Sequence, residues 1–398
     1  MKKRKVLLFF LVITILFLSG CWSKREINEL AIVSVLGIDK SKGGYLVSVQ
    51  IINPSEVAAQ EKTTRAPVTT YGIEGKTIFE ALRKLTLKSP RKLYFAHLRM
   101  VVFGEDLARE GIGKTLDFLS RDHEFRTNFY MLVAKNNKAE KVLNILTPME
   151  EIPGNKMYAA LETSEKVWAP THTTQLDELI NNMVAEGRNP VLTGVILKGN
   201  PKTGMDIRNV EKVDVPTVIQ IGYIAAFKKD KLAGWLNETE SRGYNSVMGY
   251  VKSSVVTIPC EKGGNVAIEI LKTRAKVKGK VKDGKPWIDI DYKVEGNVGD
   301  VECNIDLIKI ETIDKIEKAL EKEIKGYITA AVKKAQKDLK SDIFGFGEKI
   351  HKADPEAWKV LKQNWNEEFV DLPVDIKVTA KIKGLGTITE SFQEKAKE

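Results

Sequence analysis

The side chains best suited to catalysis or metal binding, histidine and cysteine, are scarce in this chain. The cysteines are Cys21, Cys260 and Cys303, and the histidines are His97, His123, His172 and His351. No histidine lies three or four residues from another histidine or from a cysteine, as metal sites commonly require. No Gly-x-Ser-x-Gly turn is present to expose an activated serine. The sequence therefore predicts no catalytic residues, no metal site and no cofactor.

Two short motifs suggest enzymes, but their surroundings argue against both. Ser89 and Lys92 fit the Ser-x-x-Lys of penicillin-binding enzymes, with Lys-Thr-Gly at 202–204 as a second element. Pro90 and the β-rich residues after it predict an extended chain, in which positions i and i+3 face opposite ways. "GIGKT" at 111–115 ends like a phosphate-binding loop but has Ala108 where the first glycine belongs. We expect no enzyme, and a wall-modifying enzyme using Ser89 and Lys92 stays a weaker alternative.

Cys21 is the residue with the clearest chemical signal. Four basic residues at 2–5 precede a thirteen-residue apolar run at 6–18, which is short for a bilayer span and typical of a secretory signal. The next residues are Ser19, Gly20 and Cys21, and with Leu18 they resemble the bacterial lipobox. There the thiol takes a diacylglyceryl group, the signal is cut before the cysteine, and the new amino terminus is acylated. We expect residues 1–20 to be removed and Cys21 to anchor the chain to the outer face of a membrane.

Composition limits the partners and the number of domains. The net charge is +10, and removing residues 1–20 takes four basic and no acidic residues, which leaves +6. So mild and interspersed a charge suits a surface beside anionic lipid or wall polymer, and we expect no nucleic-acid partner. The remaining 378 of 398 residues exceed one ordinary domain. Two or three domains are expected.

Hydrophobic periodicity predicts an N-terminal α+β domain over residues 21–190. Residues 31–39 and 45–52 are predicted to form a β-hairpin, and residues 53–67 an exposed loop. Further strands are predicted at 68–73, 93–103 and 129–134, and helices at 77–88, 105–119 and 138–146. His97 falls in the strand pattern at 93–103, where a structural histidine is the expected role.

The remainder of the chain is divided into a small β-rich middle domain at 191–257 and a C-terminal α+β domain at 258–398. In the C-terminal domain, strands are predicted at 265–278, 287–298 and 374–382. A long amphipathic helix lies between them, and its apolar stripe from Ile313 to Leu339 advances by 3.7 residues per step on average. That value is nearer to a straight helix than to a coiled coil, so the stripe should pack on a sheet of its own domain.

Three polar or aromatic features are interpreted as structural. Residues 121–126, "RDHEFR", predict a salt-bridged exit from a helix. A short helix after "DIFGFGE" carries Trp358, Trp365 and Phe369 on one side, and we expect these rings in the core. A disulfide between Cys260 and Cys303 is possible outside the cytoplasm, but their strand-like surroundings favour two buried apolar thiols.

Four blocks of this sequence, in order behind the lipobox, resemble the Ger(x)C family of spore germination lipoproteins. The first is "CWSKREINELAIVSVLGIDK", and the second is "RKLYFAHLRMVVFGEDLAREGI" with "LDFLSRDHEFR". The third is "KLAGWLNETESRGYNSVMGYV", and the fourth is "AVKKAQKDLKSDIFGFGEKIHKADPEAW". Together they extend over essentially the whole chain after Cys21.

The resemblance implies a fold of three α+β domains built on mixed β-sheets with flanking helices. It implies a non-enzymatic C subunit of a nutrient-germinant receptor, acting with integral membrane A and B subunits. The location implied is the outer face of the spore inner membrane, and Cys21 is the only residue that acquires a defined role. A free-standing solute-binding lipoprotein is the alternative. Such proteins have two similar lobes, whereas the three segments here differ in their pattern of strands and helices, which argues against this alternative.

Overall fold

The structure is a computed structural model that describes residues 29–58, 65–261 and 263–385, together with Arg4. Apart from Arg4, the predicted signal segment lies outside the described residues, as does Cys21. Within the described part, no helix has the length and apolar character needed to cross a bilayer. Secondary-structure elements are numbered below in chain order, as β1 to β13 and α1 to α13.

A nine-stranded sheet is the larger of the two sheets described. Its spatial order is β3-β2-β1-β5-β6-β7-β8-β9, with β4 paired to the beginning of β1. Strands β1, β5, β6 and β7 run parallel, and the remaining pairs on the path are antiparallel. The strands are β1 Leu30–Ser41, β2 Gly44–Ile52, β3 Val68–Gly75, β4 Lys92–Tyr94, β5 Met100–Gly104, β6 Tyr130–Ala134, β7 Val191–Lys198, β8 Val218–Lys228 and β9 Lys231–Leu236.

Helices connect these strands and cover both faces of the sheet. They are α1 Pro54–Val57, α2 Ile78–Lys84, α3 Glu105–Glu110, α4 Gly113–Arg121, α5 Ala139–Leu143, α6 Pro153–Val167, α7 Leu176–Val184, α8 Pro201–Gly204 and α9 Glu238–Met248. Because side chains alternate along a strand, β1 sends Leu36 and Ile38 into one core and Val35 into the other. The predicted hairpin, the alternation of elements and the mixed α+β fold are confirmed.

The predicted strand at 93–103 is wrong, because it is two strands separated by a turn. β1 pairs with β4 at Leu30 opposite Lys92 and with β5 at Val35 opposite Met100. Five residues of β1 thus correspond to eight on the partner side, so three residues must leave the ladder. The turn is closed by the Leu98 N–H donating to the Phe95 carbonyl at 2.9 Å.

The predicted helix at 105–119 is also divided, into α3 and α4. Gly111 ends α3 with a φ of 138°, a conformation that other residues adopt rarely. Its N–H still donates to the Leu107 carbonyl, and the chain then turns so that α4 begins at Gly113.

The segment predicted as a middle domain places its strands in the larger sheet. β7 continues the parallel series, and β8 and β9 add antiparallel strands at its edge. Helix α9 follows, with a capping box in which Asn237 accepts the Glu240 N–H and Glu240 accepts the Asn237 N–H. The domain boundaries at residues 190 and 257 stay a prediction.

A second sheet of four strands carries the C-terminal part of the chain. Its order is β10-β11-β12-β13, antiparallel except for the parallel pair β12–β13. The strands are β10 Ser254–Pro259, β11 Asn265–Lys282, β12 Lys285–Val301 and β13 Val374–Gly384. The predicted strands at 265–278, 287–298 and 374–382 fall within them.

Helix α10, Ile310–Lys333, lies on this second sheet and is extended by a π-helical turn at Lys334–Leu339. Its apolar stripe is buried, from Ile316 to Leu339, in the same core as the strands. Glu317 and Glu321 accept backbone N–H groups from Ile382 and Ala380 of β13. The predicted packing of the helix on its own sheet is confirmed.

The last helices are α11 Phe346–Ala353, α12 Pro355–Leu361 and α13 Trp365–Asp371. The single helix predicted to carry the aromatic stripe is therefore two helices, separated at Lys362–Asn364. Trp358, Trp365 and Phe369 are buried, which confirms their place in the core.

Cys260 and Cys303 form a disulfide, so the expectation of two free thiols is wrong. Cys260 follows β10 and Cys303 follows β12, and both strands flank β11 in the sheet. Pro259 pairs with Asn265 and Val266 with Val301, which brings the two strand ends to the same edge. Disulfide formation therefore depends on the pairing of strands that are remote in sequence, and not on the residues that surround each cysteine in the sequence.

Candidate functional site

The serine and lysine of the enzyme hypothesis do not meet in the structure. The Ser89 hydroxyl donates to the Arg91 carbonyl at 2.7 Å. The Lys92 side chain pairs with Glu124 at 2.7 Å. A serine nucleophile needs a base within hydrogen-bond reach, and Lys92 is engaged elsewhere. The arrangement does not support acyl transfer.

The phosphate-loop fragment is likewise engaged by another part of the chain. Gly113, the first residue of α4, donates its N–H to the Asp230 carboxylate at 3.3 Å. Ile112 donates its N–H to the Asp230 carbonyl at 2.9 Å. A carboxylate at this helix start repels a phosphate, so the fragment serves to attach α4 to the turn between β8 and β9. Residues 201–204 form one helical turn capped by Asn200, as the turn interpretation of Lys-Thr-Gly requires.

The charged cluster at 121–126 forms a helix exit. Asp122 accepts the Glu124 N–H at 2.9 Å, while Glu124 pairs with Lys92 and Arg121 with Asp117. Phe125 is buried, with its ring centroid 4.6 Å from that of Phe95. The Glu124–Lys92 pair reaches β4 and the Arg121–Asp117 pair lies within α4, so the cluster is a salt-bridged helix exit.

The structure reveals a buried histidine site that the sequence did not indicate. His172 lies between α6 and α7, with Nδ1 2.9 Å from Glu165 and Nε2 3.2 Å from Glu178. Its ring stacks on Tyr250, which follows α9, at a centroid distance of 4.0 Å. Burial lowers the pKa of His172, but the two carboxylates outweigh burial and raise that pKa above its ordinary value. We name these four residues the histidine clasp.

His97, by contrast, is exposed and lies in the turn between β4 and β5. The expected strand position is therefore wrong, and its ring contacts Tyr94 at a centroid distance of 5.8 Å. The two glutamates of the histidine clasp are six and seven residues from His172 and lie on different helices, so no short sequence motif indicated the site. A glutamate six or seven residues from a histidine is too common in sequences to predict a buried histidine site.

Helix α9, which carries most of the third sequence block, joins the two sheets. Asn245 donates through Nδ2 to the Ala169 and Thr171 carbonyls at 2.8 and 2.9 Å. The Arg242 guanidinium lies over two rings, those of Trp168 at 4.8 Å and Tyr327 at 5.0 Å. One side of α9 thus holds the segment after α6, and another side meets α10 of the C-terminal part.

Gly243 is the point of closest approach between α9 and α10. A Cβ at this position would lie 2.0 Å from the Tyr327 carbonyl oxygen and 2.9 Å from the Ala331 Cβ. Only a glycine lets the two backbones approach so closely. The contact fixes the position of α10, and with it the second sheet, relative to α9.

The fourth block, at residues 331–358, makes a second connection to the larger sheet. Asp342 is buried and accepts N–H groups from Phe346 and Gly347 and from the Trp365 indole at 2.8–3.0 Å. Its carbonyl accepts the Asn189 N–H at 2.7 Å, and Asn189 lies two residues before β7, the last strand of the parallel series. The third and fourth sequence blocks therefore meet at the junction of the two sheets.

This junction holds the chain together but offers no catalytic constellation. Among the residues that the structure describes, no group of three or more histidine, cysteine or acidic side chains is arranged to hold a metal ion. The histidine clasp is closed by its own carboxylates and a stacked tyrosine, so its ring nitrogens are occupied. The contacts at the junction therefore support a structural role for these residues.

Two family models match this chain and together extend over most of it. One is described as "Spore germination protein N-terminal domain" and matches residues 23–197. The other is described as "Spore germination B3/ GerAC like, C-terminal" and matches residues 223–386. The interval between them falls between the end of β7 and the middle of β8, within the larger sheet.

Individual relatives match over nearly their whole length. Spore germination protein KC of Bacillus subtilis (strain 168) is 34% identical over 407 residues, which is 100% of both chains. Spore germination protein B3 of the same organism is 26% identical over 386 residues, covering 96% of this chain and 97% of that protein. The crystal structure of the GerBC protein matches with a TM-score of 0.53 at 21% identity, covering 87% of this chain and 96% of that one. The likeness to that structure shows a shared fold.

Proposed function

The chain belongs to the Ger(x)C family of spore germination proteins, and we propose that it is the lipid-anchored C subunit of a nutrient-germinant receptor. The observation that carries the proposal is the 34% identity to spore germination protein KC without a gap in coverage at either end. Because the alignment covers every part of both chains, the surfaces used in germination should be present here. The spore is the place of action that the family implies.

Cys21 is the proposed point of attachment. It would carry a diacylglyceryl thioether and an N-acyl group, and two or more acyl chains suffice for stable anchoring without a spanning helix. The lipobox residues 18–21 support this chemistry. The folded part would then lie on the outer face of the spore inner membrane.

The proposed partners are two integral membrane proteins, the A and B subunits of the receptor. The chain itself is proposed to be non-enzymatic, and the engagement of Lys92 with Glu124 and of Gly113 with Asp230 supports that proposal. Its contribution would be to present docking surfaces on a rigid body at the membrane.

Spores that carry Cys21→Ala test the anchoring directly. We expect the variant protein to leave the membrane fraction and nutrient-triggered germination to be lost, while nutrient-independent germination continues. Ser19→Ala is the matched control, because it keeps a small residue in the lipobox and an intact thiol. Membrane-bound Cys21→Ala protein in spores that germinate normally would overturn the anchoring role.

The partners are tested by purifying the tagged full-length protein from detergent-solubilised spore membranes after mild crosslinking. We expect two polytopic membrane proteins to co-elute in stoichiometric amounts. Elution of the chain alone would argue against the receptor complex. Micromolar binding of amino acids or sugars by the chain alone, measured by calorimetry, would favour the solute-binding alternative.

A further inference from the structure

Basic side chains are concentrated where β1 begins, along the border of the larger sheet formed by the amino ends of its parallel strands. This border is called an edge below, and the border at their carboxyl ends is the opposite edge. Residues 83–92, which run from the end of α2 into β4, contain five basic residues and no acidic one: Arg83, Lys84, Lys88, Arg91 and Lys92. They lie at this edge because β4 is parallel to β1 and Lys92 is opposite Leu30, the first residue of β1. We call residues 83–92 the basic edge segment.

An exposed leucine lies among these basic residues. Leu87 is 82% exposed in the short turn Leu85–Leu87, while Leu85 in the same turn is fully buried and holds it to the core. Lys88 follows it, with its ammonium donating to the Gly72 carbonyl at 2.6 Å. A fixed turn with a projecting apolar side chain beside basic groups is the arrangement found at membrane interfaces, where the apolar group enters the acyl boundary.

The charge of the basic edge segment is only partly balanced by neighbouring acids. Lys84 pairs with Glu80 and Lys92 with Glu124. Two more acidic side chains lie at this edge: Glu29, which directly precedes Leu30, and Glu56, which lines the adjoining groove together with Arg91. The five basic side chains of the segment exceed these four acidic ones, and the remaining positive charge is complementary to an anionic lipid surface.

The tether from Cys21 determines which edge of the fold can reach the membrane. Leu30 is nine positions after Cys21, so the start of β1 lies within about 32 Å of the lipid attached at Cys21. Strand β1 has 12 residues and carries the chain about 36 Å across the sheet to the opposite edge. The edge with the basic segment is thus the edge held nearest to the bilayer.

We propose that the basic edge segment contacts the anionic headgroups of the membrane that anchors the chain, with Leu87 entering the interface. This proposal rests on the lipidation of Cys21 proposed above. It places the start of β1 toward the lipid and the carboxyl ends of the parallel strands away from it. The second attachment point would fix the orientation of the fold on the membrane, which a single lipid anchor alone does not.

The test uses the lipidated mature chain reconstituted in phosphatidylglycerol or phosphatidylcholine vesicles. An environment-sensitive fluorophore is attached to Leu87→Cys, and its quenching by spin-labelled lipid is measured. With Cys21 acylated and Cys260 bonded to Cys303, the introduced cysteine is the one available thiol. The matched control is Val213→Cys, which replaces another exposed apolar residue and precedes β8 at the opposite edge.

We expect strong quenching at position 87 in phosphatidylglycerol vesicles, weak quenching in phosphatidylcholine or high salt, and none at position 213. Lys88→Glu with Arg91→Glu should reduce the quenching, since each basic residue near an anionic surface favours contact ~fivefold. Lys198→Glu with Lys202→Glu, at the opposite edge, should not. Equal signals at positions 87 and 213 on vesicle-bound protein, or equal quenching in both lipids, would overturn the proposed contact alone. Protein that does not float with either vesicle would overturn the anchoring proposal as well.

Discussion

Replacing Gly243 by alanine tests whether the contact between α9 and α10 holds the two sheets together. The added Cβ would meet the Tyr327 carbonyl oxygen at 2.0 Å, whereas ordinary contact begins near 3.4 Å. The helices would therefore have to separate by about 1.4 Å. The obstacle is backbone, which cannot rotate away as a flexible side chain would.

The expected loss of stability follows from two opposing effects. Overpacking in a core costs about 1–3 kcal/mol, and an immovable carbonyl places this site at the upper end of that range. Alanine is favoured over glycine within a helix by about 1 kcal/mol, which offsets part of the loss. The net destabilisation of Gly243→Ala is then about 2 kcal/mol, or a fall in melting temperature of roughly 4–8 °C for a cooperative unit of about 150–250 residues.

Gly326→Ala provides the matched control for this substitution. Gly326 lies within α10, one residue before Tyr327, and a Cβ there would meet no atom within 4 Å. The same substitution should therefore stabilise the chain by about 0.5–1 kcal/mol. Thermal and urea unfolding of the mature protein, followed by tryptophan fluorescence, would measure both variants. If Gly243→Ala unfolds at the wild-type midpoint, or if both variants shift alike, the argument from close approach is refuted.

Two further variants test the histidine clasp and the disulfide. Glu165 and Glu178 raise the pKa of His172 above its ordinary 6.5, so its stabilisation is complete below pH 6.5 and is lost as the pH rises through the raised pKa. The unfolding free energy from urea titrations should fall over that interval in the wild type and less in His172→Gln; parallel pH profiles would contradict this. Cys260→Ser with Cys303→Ser opens a crosslink between residues 43 apart, which should lower stability by about 3–4 kcal/mol. Identical urea curves for the wild type with and without reductant would refute that prediction.

Elements whose signal is local could be predicted from the sequence. The β1–β2 hairpin follows from two β-rich runs around a short turn, and the buried stripe of α10 follows from its 3.7-residue step. The aromatic residues after "DIFGFGE" were correctly placed in the core, because large apolar rings at helical spacing need a surface to pack on. The lipid-attachment signal around Cys21 is also local, and it stays a prediction because that residue lies outside the described part.

Features that depend on strand order were decided only by the tertiary structure. The break at 95–99 exists because β4 and β5 pair with two separate parts of β1, and no local pattern records the pairing partner. The disulfide exists because β10 and β12 flank β11. The histidine clasp likewise needs α6, α7 and the end of α9 to meet around His172. Hydrophobic periodicity specifies which face of a helix or strand is buried. Long-range packing specifies which other element that face packs against, and the break, the disulfide and the histidine clasp all depend on this packing.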